Sequence, residues 1–449
     1  MKQLCIHAHF SLPPREDPFT HSIPHDASAA PFRNLYEQVT ADCYLPNAVL
    51  GNLDLMSFDI APALLRQLEM HEAAAYSRLL SADRGNAIAT TFNHVTLPVL
   101  SRRDKVTQVK WGLRAFQTHF GRQSNGVWLP EMAVDDETLD VLAENGIEFT
   151  LLSQEQLRGD LVKASGPYCV RLASGRTIAV FARDRMLSDK VSFELNWLGG
   201  VGIFAARYLA PRRDEGLLLI ATDGETYGHY HRDEEMFLRY LLHQEASNAG
   251  YQLVSLTGYL RDHLPDVEVQ IVSPSSWSCE DGIERWQREC GCASPAAWKA
   301  PLCAALRHLA DAIDTIYERE ARAAGLDPWA VRDGFADALL DRIPELAYLT
   351  HYETRKITRA AEDRILSLLH AEAHRLAMFN SYAFAETEFD SIEMRIVVAH
   401  AARAVSHAAH ATGEDLHADL RHDLALATDP RGDRTATEIF TEIVEAQHI

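Results

Sequence analysis

Apolar residues along this chain follow two rhythms. Up to about residue 275, short unbroken apolar runs alternate with stretches in which apolar residues recur every three or four positions, the patterns of buried parallel strands and of amphipathic helices. Strands are predicted at Lys2–Ile6, Asn52–Phe58, Asn86–Phe92, Gly126–Glu131, Glu148–Leu152, Thr177–Ala182, Leu217–Thr222 and Val267–Val272, with helical stretches at Leu35–Asp42, Ala61–Leu80, Arg102–Phe120, Ala133–Asn145 and Glu234–Ala249. Repeated strand–helix alternation builds a parallel sheet, and this many units favour closure into a barrel or near-barrel. Beyond Ser273-Pro274 only the helical rhythm continues, with Ser294-Pro295 and Asp327-Pro328 as helix-opening signals and later stretches at Thr354–Met378, Ser391–Ala411 and Thr435–Glu445. The expected architecture is α/β: a parallel-stranded barrel over residues 1–275 followed by an all-helical domain over 276–449.

Several of the runs stop abruptly on polar residues, and α/β barrels keep their chemistry at the carboxyl ends of their strands. Leu217 to Thr222 delivers Asp223, Gly224 and Glu225, with Tyr227 and His229 just beyond; Gly126 to Pro130 delivers Glu131 behind Trp128; the first strand ends in His7-Ala8-His9; and Asn86 to Phe92 runs into His94. Two carboxylates at strand ends can divide the work of glycoside cleavage between a nucleophile and a general acid/base. Aromatic faces and imidazoles are the groups that grip sugars. Glu131 and Asp223 are therefore expected to face one pocket, with Glu225 as the reserve acid; the glycine between Asp223 and Glu225 makes a continued strand, and hence a shared face, doubtful.

Charge and cysteine usage narrow the picture. A net charge of -21 and a pI near 5.4 disfavour nucleic acid as a partner, because phosphate neutralisation needs a basic face. No 18-residue apolar span occurs and the amino-terminal residues do not form a signal peptide, so a soluble cytoplasmic protein without membrane association is expected. Seven cysteines, an odd number, argue against a disulfide scaffold. Cys279, Cys290, Cys292 and Cys303 cluster in sequence, but the Cys-x-Cys pair lacks the two-residue gap of zinc knuckles, and ordinary packing without a metal is expected.

Four segments resemble the motifs of glycoside hydrolase family 57, the α-glucan-active group of amylases, 4-α-glucanotransferases and branching enzymes: His7-Ala8-His9-Phe10, Asn93-His94-Val95-Thr96-Leu97-Pro98, Trp128-Leu129-Pro130-Glu131, and Asp223 to His229. The first departs from the family's usual His-Gln-Pro. Arg183 to Ser188, Ser276 to Cys279 and Phe379 to Phe384 resemble the branch with a helical C-terminal domain of unknown function. The resemblance implies an incomplete (β/α)7 barrel and a retaining double displacement on α-1,4-linked glucan or malto-oligosaccharide, without cofactor. Glu131 would be the nucleophile and Asp223 the acid/base; His7, His9 and His94 would bind sugar hydroxyls, and Trp128 and Trp277 would shape the subsite. Hydrolysis, transfer and branching share these residues, and the sequence does not choose between them or set the oligomeric state. Two rival readings stand beside it: a metal-dependent polysaccharide deacetylase-like hydrolase using His7-x-His9, and a non-catalytic carbohydrate-binding protein on the same barrel.

Overall fold

The computed structural model describes residues 2–162, 164–212, 216–352 and 356–446. They form two compact units, one of residues up to Leu12, His25–Phe92 and Phe116–Trp277, the other of Pro13–Pro24, Asn93–Ala115 and the residues from Ser278 onward. A single boundary near residue 275 thus captures the last third of the chain but misses two earlier segments that group with the C-terminal helices. Among the described residues no helix is long and apolar enough to cross a membrane.

Seven parallel strands build the first unit: β1 (Lys2–Phe10), β2 (Ser57–Ile60), β3 (Ala89–Thr90), β4 (Gly126–Trp128), β5 (Phe149–Ser153) and, after the short flanking strands β6 (Leu157–Arg158) and β7 (Tyr168–Arg171), β8 (Thr177–Arg183) and β9 (Gly216–Asp223). β9 pairs with β1 along Lys2–His9, β1 with β2, β3 with β4, β4 with β5 and β5 with β8, all parallel, while a parallel bridge between Phe58 and Ala87 joins β2 to the start of the β3 segment. The circuit from β9 to β8 is closed by something other than a ladder. Ser165 sits between these two strands: its carbonyl accepts from the Ala182 amide at 3.1 Å and its hydroxyl from the Leu219 amide at 2.9 Å. Asp184 N–H adds one direct bond to Leu219 O at 2.8 Å. This is the incomplete (β/α)7 barrel, its gap plugged by one buried serine.

Most strands overlap the apolar runs, but Asn52–Phe58 yields a 3-10 turn at Leu53–Leu55, with β2 starting only at Ser57, and two further elements depart from expectation. β11 (Val267–Ile271) follows the short strand β10 (Tyr251–Leu253), and instead of joining the barrel it pairs with β7 and antiparallel with β6 in a flanking extension. Its alternation of exposed Glu268 and Gln270 with buried Val269 and Ile271 is that of a strand wet on one face. The helical stretch from Ala61 divides into Pro62–His71 and Ala73–Ser81 at Glu72, whose φ of -132° is not helical.

The second unit is helical, built on Lys299–Ala324, Arg359–Ala377 and Ile392–Thr412. Asp327 caps the helix Pro328–Gly334 through the amides of Trp329 and Ala330, as its motif predicts. Ser294-Pro295 does not open a helix; that helix starts at Lys299. At the centre of the unit lies a buried charge cluster. Arg375 forks onto Asp104 at 2.7 and 2.8 Å and reaches Glu372 at 3.1 Å, while Arg332 contacts Glu372 at 3.0 Å and Asp104 at 3.1 Å. Burial alone would raise the Asp104 pKa, but Arg375 and Arg332 hold it down to about 2. Asp104 is one of the residues that tie the segment Asn93–Ala115 to these helices, beside Thr107 and Trp111, and removing it leaves buried guanidinium charge short of a partner. Asp104→Ala is expected to cost about 3–5 kcal/mol in urea unfolding, and a loss below about 1 kcal/mol would show the cluster to be solvated.

Candidate active site

Because the barrel strands run parallel, their carboxyl ends deliver side chains to one rim. The register fixes which ones meet: His9 is paired with Asp223 across β1–β9 and with Asp59 across β1–β2. Asp59, fully buried, bridges both imidazoles, with Oδ1 3.1 Å from His7 Nε2 and Oδ2 2.8 Å from His9 Nδ1. His7 Nδ1 lies 3.1 Å from Ser57 Oγ, so both its nitrogens are engaged by protein. Both rings stack on Trp128, with centroids at 5.1 and 4.9 Å and planes within 13°. Burial lowers the His7 pKa, the attraction of Asp59 only partly opposing it; at His9 the charges of Asp59, Asp223 and Glu225 overcome burial and raise it. His9 is thus the imidazole poised to carry positive charge beside Asp223.

Asp223 ends β9 half-buried. Burial raises its pKa, His9 and Arg183 oppose the rise and Asp59 reinforces it, so the carboxyl holds its proton to higher pH than an exposed aspartate. The chain then turns at Gly224, where a side chain would strike the Phe10 ring, and closes at Gly228, whose φ of 128° and contact with the Asp42 carbonyl admit no Cβ. Glu225 consequently points elsewhere than Asp223. It is 1% exposed, and its Oε1 accepts from Tyr44 O–H at 2.6 Å and from Ser11 N–H at 3.1 Å. Burial, with Asp223 adding to it, pushes Glu225 up to about 8.

Glu131 is held differently. β4 ends at Trp128, and Glu131 lies in the tight turn Pro130–Met132 with φ 61° and ψ 15°, followed by Met132 at φ 46°. Two successive non-glycine residues in the left-handed region persist only where the surroundings over-determine them, and such strain concentrates at functional sites. Trp277 supplies two of the restraints: its amide donates to the Glu131 carbonyl at 3.2 Å and its indole N–H to Glu131 Oε2 at 3.1 Å. Gln156 donates to the Met132 carbonyl at 2.8 Å. Arg183, buried at the end of β8, lays its guanidinium over the Trp277 ring at 5.1 Å.

Tyr230 stands near these acids: burial first, then the negative charges of Glu225 and Asp223, push its hydroxyl pKa upward.

The other expected residues sort by burial. Trp128 is fully buried and backs the histidines, meeting Trp277 edge-on. Tyr227 is 1% exposed, its hydroxyl accepting from Thr222 at 3.4 Å and its carbonyl from Asn47 at 2.8 Å, so it fixes the loop and its ring is not open to a ligand. His229 lies 3.6 Å from Asp42. His94 belongs to the second unit, where its Nδ1 is 2.6 Å from Ser381 Oγ and its ring stacks on Tyr382. Asp59, Tyr230 and Arg183 are the site residues that the pattern of runs did not single out. The Ser57-Phe58-Asp59-Ile60 alternation was the available signal for Asp59, since it puts Ser57 and Asp59 on the face shared with His7 and His9.

A raised carboxyl has a consequence for stability. Folding keeps the Glu225 proton on to about 8 against 4.5 for an ordinary glutamate, so the folded state binds more protons than the unfolded one inside that window and stability falls as pH rises through it. Glu225→Gln is expected to stay folded and to flatten this decline in thermal unfolding measured from pH 4.5 to 8; an unchanged slope would place the proton elsewhere.

Comparison with known proteins agrees with this geometry. The glycosyl hydrolase family 57 model matches residues 52–272, and a domain of unknown function, DUF3536, matches 296–449. No curated protein matches in sequence. Among solved structures the chain is similar to an exo-type maltose-forming amylase from Pyrococcus sp. ST04 (TM-score 0.74, 16% identity, 99% of this chain and 88% of that one). It is similar also to a family 57 branching enzyme from Pyrococcus horikoshii (0.60, 16%, 100% and 94%) and a 4-alpha-glucanotransferase from Thermococcus litoralis (0.57, 15%, 90% and 58%). With its barrel, its two motif carboxylates at one rim and its helical C-terminal domain, the chain belongs to glycoside hydrolase family 57.

Proposed function

We propose that the protein is a retaining α-glucan-active enzyme in which Glu131 is the nucleophile and Asp223 the acid/base. The observation that carries this reading is the packed chain that joins the two carboxylates: Glu131 accepts from the Trp277 indole at 3.1 Å, Trp277 meets Trp128 edge-on, and Trp128 stacks on His9, which is paired with Asp223 across β1–β9. Burial raises the Asp223 pKa, in the direction an acid needs, and Glu131 is oriented by the hydrogen bond it accepts from the Trp277 indole. In the first step a Glu131 oxygen bonds to the anomeric carbon as the glycosidic C–O bond breaks, and the Asp223 proton passes to the departing oxygen. In the second, ionised Asp223 takes a proton from water or from an acceptor sugar hydroxyl, whose oxygen displaces Glu131. His9, held in position by Asp59, stands beside Asp223 to bind a sugar hydroxyl and to offset its charge once the proton has left. The names of the similar structures, an amylase, a branching enzyme and a glucanotransferase, support α-glucan as the substrate class.

The deacetylase-like alternative loses its metal ligand on this geometry, since His7 spends both nitrogens on Ser57 and Asp59.

Glu131→Gln and Asp223→Asn are each expected to lower kcat on amylose by at least ~10³-fold while leaving thermal unfolding unchanged. With an activated leaving group that needs no protonation, Asp223→Asn should recover the first step and Glu131→Gln should not. Mass spectrometry after incubation with a 2-deoxy-2-fluoro-maltosyl fluoride should find the sugar on the peptide bearing Glu131. A label elsewhere, or first-formed products of inverted anomeric configuration, would sink the assignment. Chain-length and linkage profiles of amylose digests then separate hydrolysis from transfer and from branching.

A further inference from the structure

Between the two family matches, after β11 and before the helix at Lys299, lies a stretch whose regular structure is one short turn of helix at Glu284–Trp286. A connection this long inside a compact unit needs something to order it. Two turns face each other in it. Gly282 N–H bonds back to the Cys279 carbonyl at 3.2 Å, and Ala293 N–H to the Cys290 carbonyl at 3.1 Å. They bring three sulfurs into a triangle with edges of 3.1 Å (Cys290–Cys292), 3.3 Å (Cys279–Cys292) and 3.9 Å (Cys279–Cys290). The Asp281 carboxylate completes a group of four whose ligand atoms all lie within 4.8 Å of one another. Its Oδ2 accepts from Gly291 N–H at 3.2 Å, which aims it between the two turns.

We propose that Cys279, Cys290, Cys292 and Asp281 hold a structural zinc ion. A tetrahedral ion with zinc–sulfur bonds of about 2.3 Å requires sulfurs about 3.8 Å apart, and the triangle is already close to that size. An odd set of three thiols cannot be satisfied by one disulfide, whereas a thiolate-rich, closed four-ligand site is what a structural zinc takes. The surrounding charge fits. Three thiolates, one carboxylate and a divalent cation leave an excess of two negative charges; Arg285 donates to the carbonyls of Ser278 and Cys292 at 3.2 and 3.0 Å, and Lys299 to those of Arg285 and Phe384 at 3.1 and 2.6 Å. Binding releases the three thiol protons, so acid opens the site. The ion would fasten the two turns to each other, while Cys303, outside the triangle and on the long helix, already holds the stretch by donating from its thiol to the Trp286 carbonyl at 3.5 Å. The two-residue gap that the sequence lacks is replaced by convergence of two turns.

The test uses the full chain, produced without a metal-binding tag and purified without chelator. Elemental analysis is expected to find about one zinc per chain, released when a mercurial blocks the thiols. Cys290→Ser and Cys292→Ser should lose it; Cys169→Ser, in the barrel unit, should keep it. Should the serine variants fail to fold, growth of the unaltered protein with cobalt in place of zinc keeps the question open to measurement: thiolate-to-cobalt charge-transfer absorption with the intense visible bands of a tetrahedral ion is the expected result. Zinc absent from the unaltered chain, zinc retained in the Cys290→Ser/Cys292→Ser double variant, cobalt without charge transfer, or a Cys279–Cys290 disulfide in peptide mapping would each overturn the proposal.

Discussion

The pairing of β1 between β2 and β9 governs the barrel's rim. Side chains alternate along a strand, so a one-residue slip of β9 against β1 would turn Asp223 into the wall and bring Thr222 or Gly224 to its place at the rim. The register is guarded from both sides. On one, Leu217 to Thr222 is buried without interruption and tolerates no polar residue turned inward. On the other, Asp59 can reach His7 and His9 together only in the observed alignment, and a buried carboxylate left without those partners would be costly. The hydrogen bonds that fix the register are the ones that set the protonation of the imidazole beside Asp223, so fold and chemistry rest on the same few atoms.

Against this regular frame Glu131 is an exception. A continued β4 would have offered a carboxylate at an ordinary strand end; the chain turns early through two left-handed residues and relies on Trp277, far along the sequence, for both backbone and side-chain restraint. Strain at Glu131 is tolerable because its partners are themselves fixed: Trp277 lies edge-on to Trp128 and under Arg183, and Trp128 in turn supports His7 and His9. Precision here comes from a chain of packed aromatic and cationic groups, and each depends on the next.

The helical unit uses buried charge for a related end. Arg332, Arg375, Asp104 and Glu372 satisfy one another in its interior, where apolar packing would have been no less stabilising but far less selective about which helix lies against which. Glu372, facing Arg375, Arg332, Asp314 and Asp104, is raised to about 7 by burial, against the depressed Asp104. The segment Asn93–Ala115 joins that interior through Asp104 among other contacts, a grouping that local hydrophobic pattern does not report.

How much was legible follows from the range of the interactions. Most strand positions, the abrupt polar ends at His9 and Asp223, the helical last third and the Asp327 cap are consequences of local periodicity and of residue type, and the sequence by itself determined them. The motif segments likewise carried the family and its pair of carboxylates. Everything set by contacts between distant parts of the chain was decided by tertiary structure: β11 leaving the barrel, Ser165 closing it, Asp59 joining two histidines, Glu225 buried against Tyr44 while Asp223 stays at the rim, Tyr227 sealed inward, and three cysteines converging where their spacing suggested packing. Periodicity reports which face of an element is wet, but a hydrogen bond or a shared proton depends on atoms that only folding brings within about 3 Å of each other.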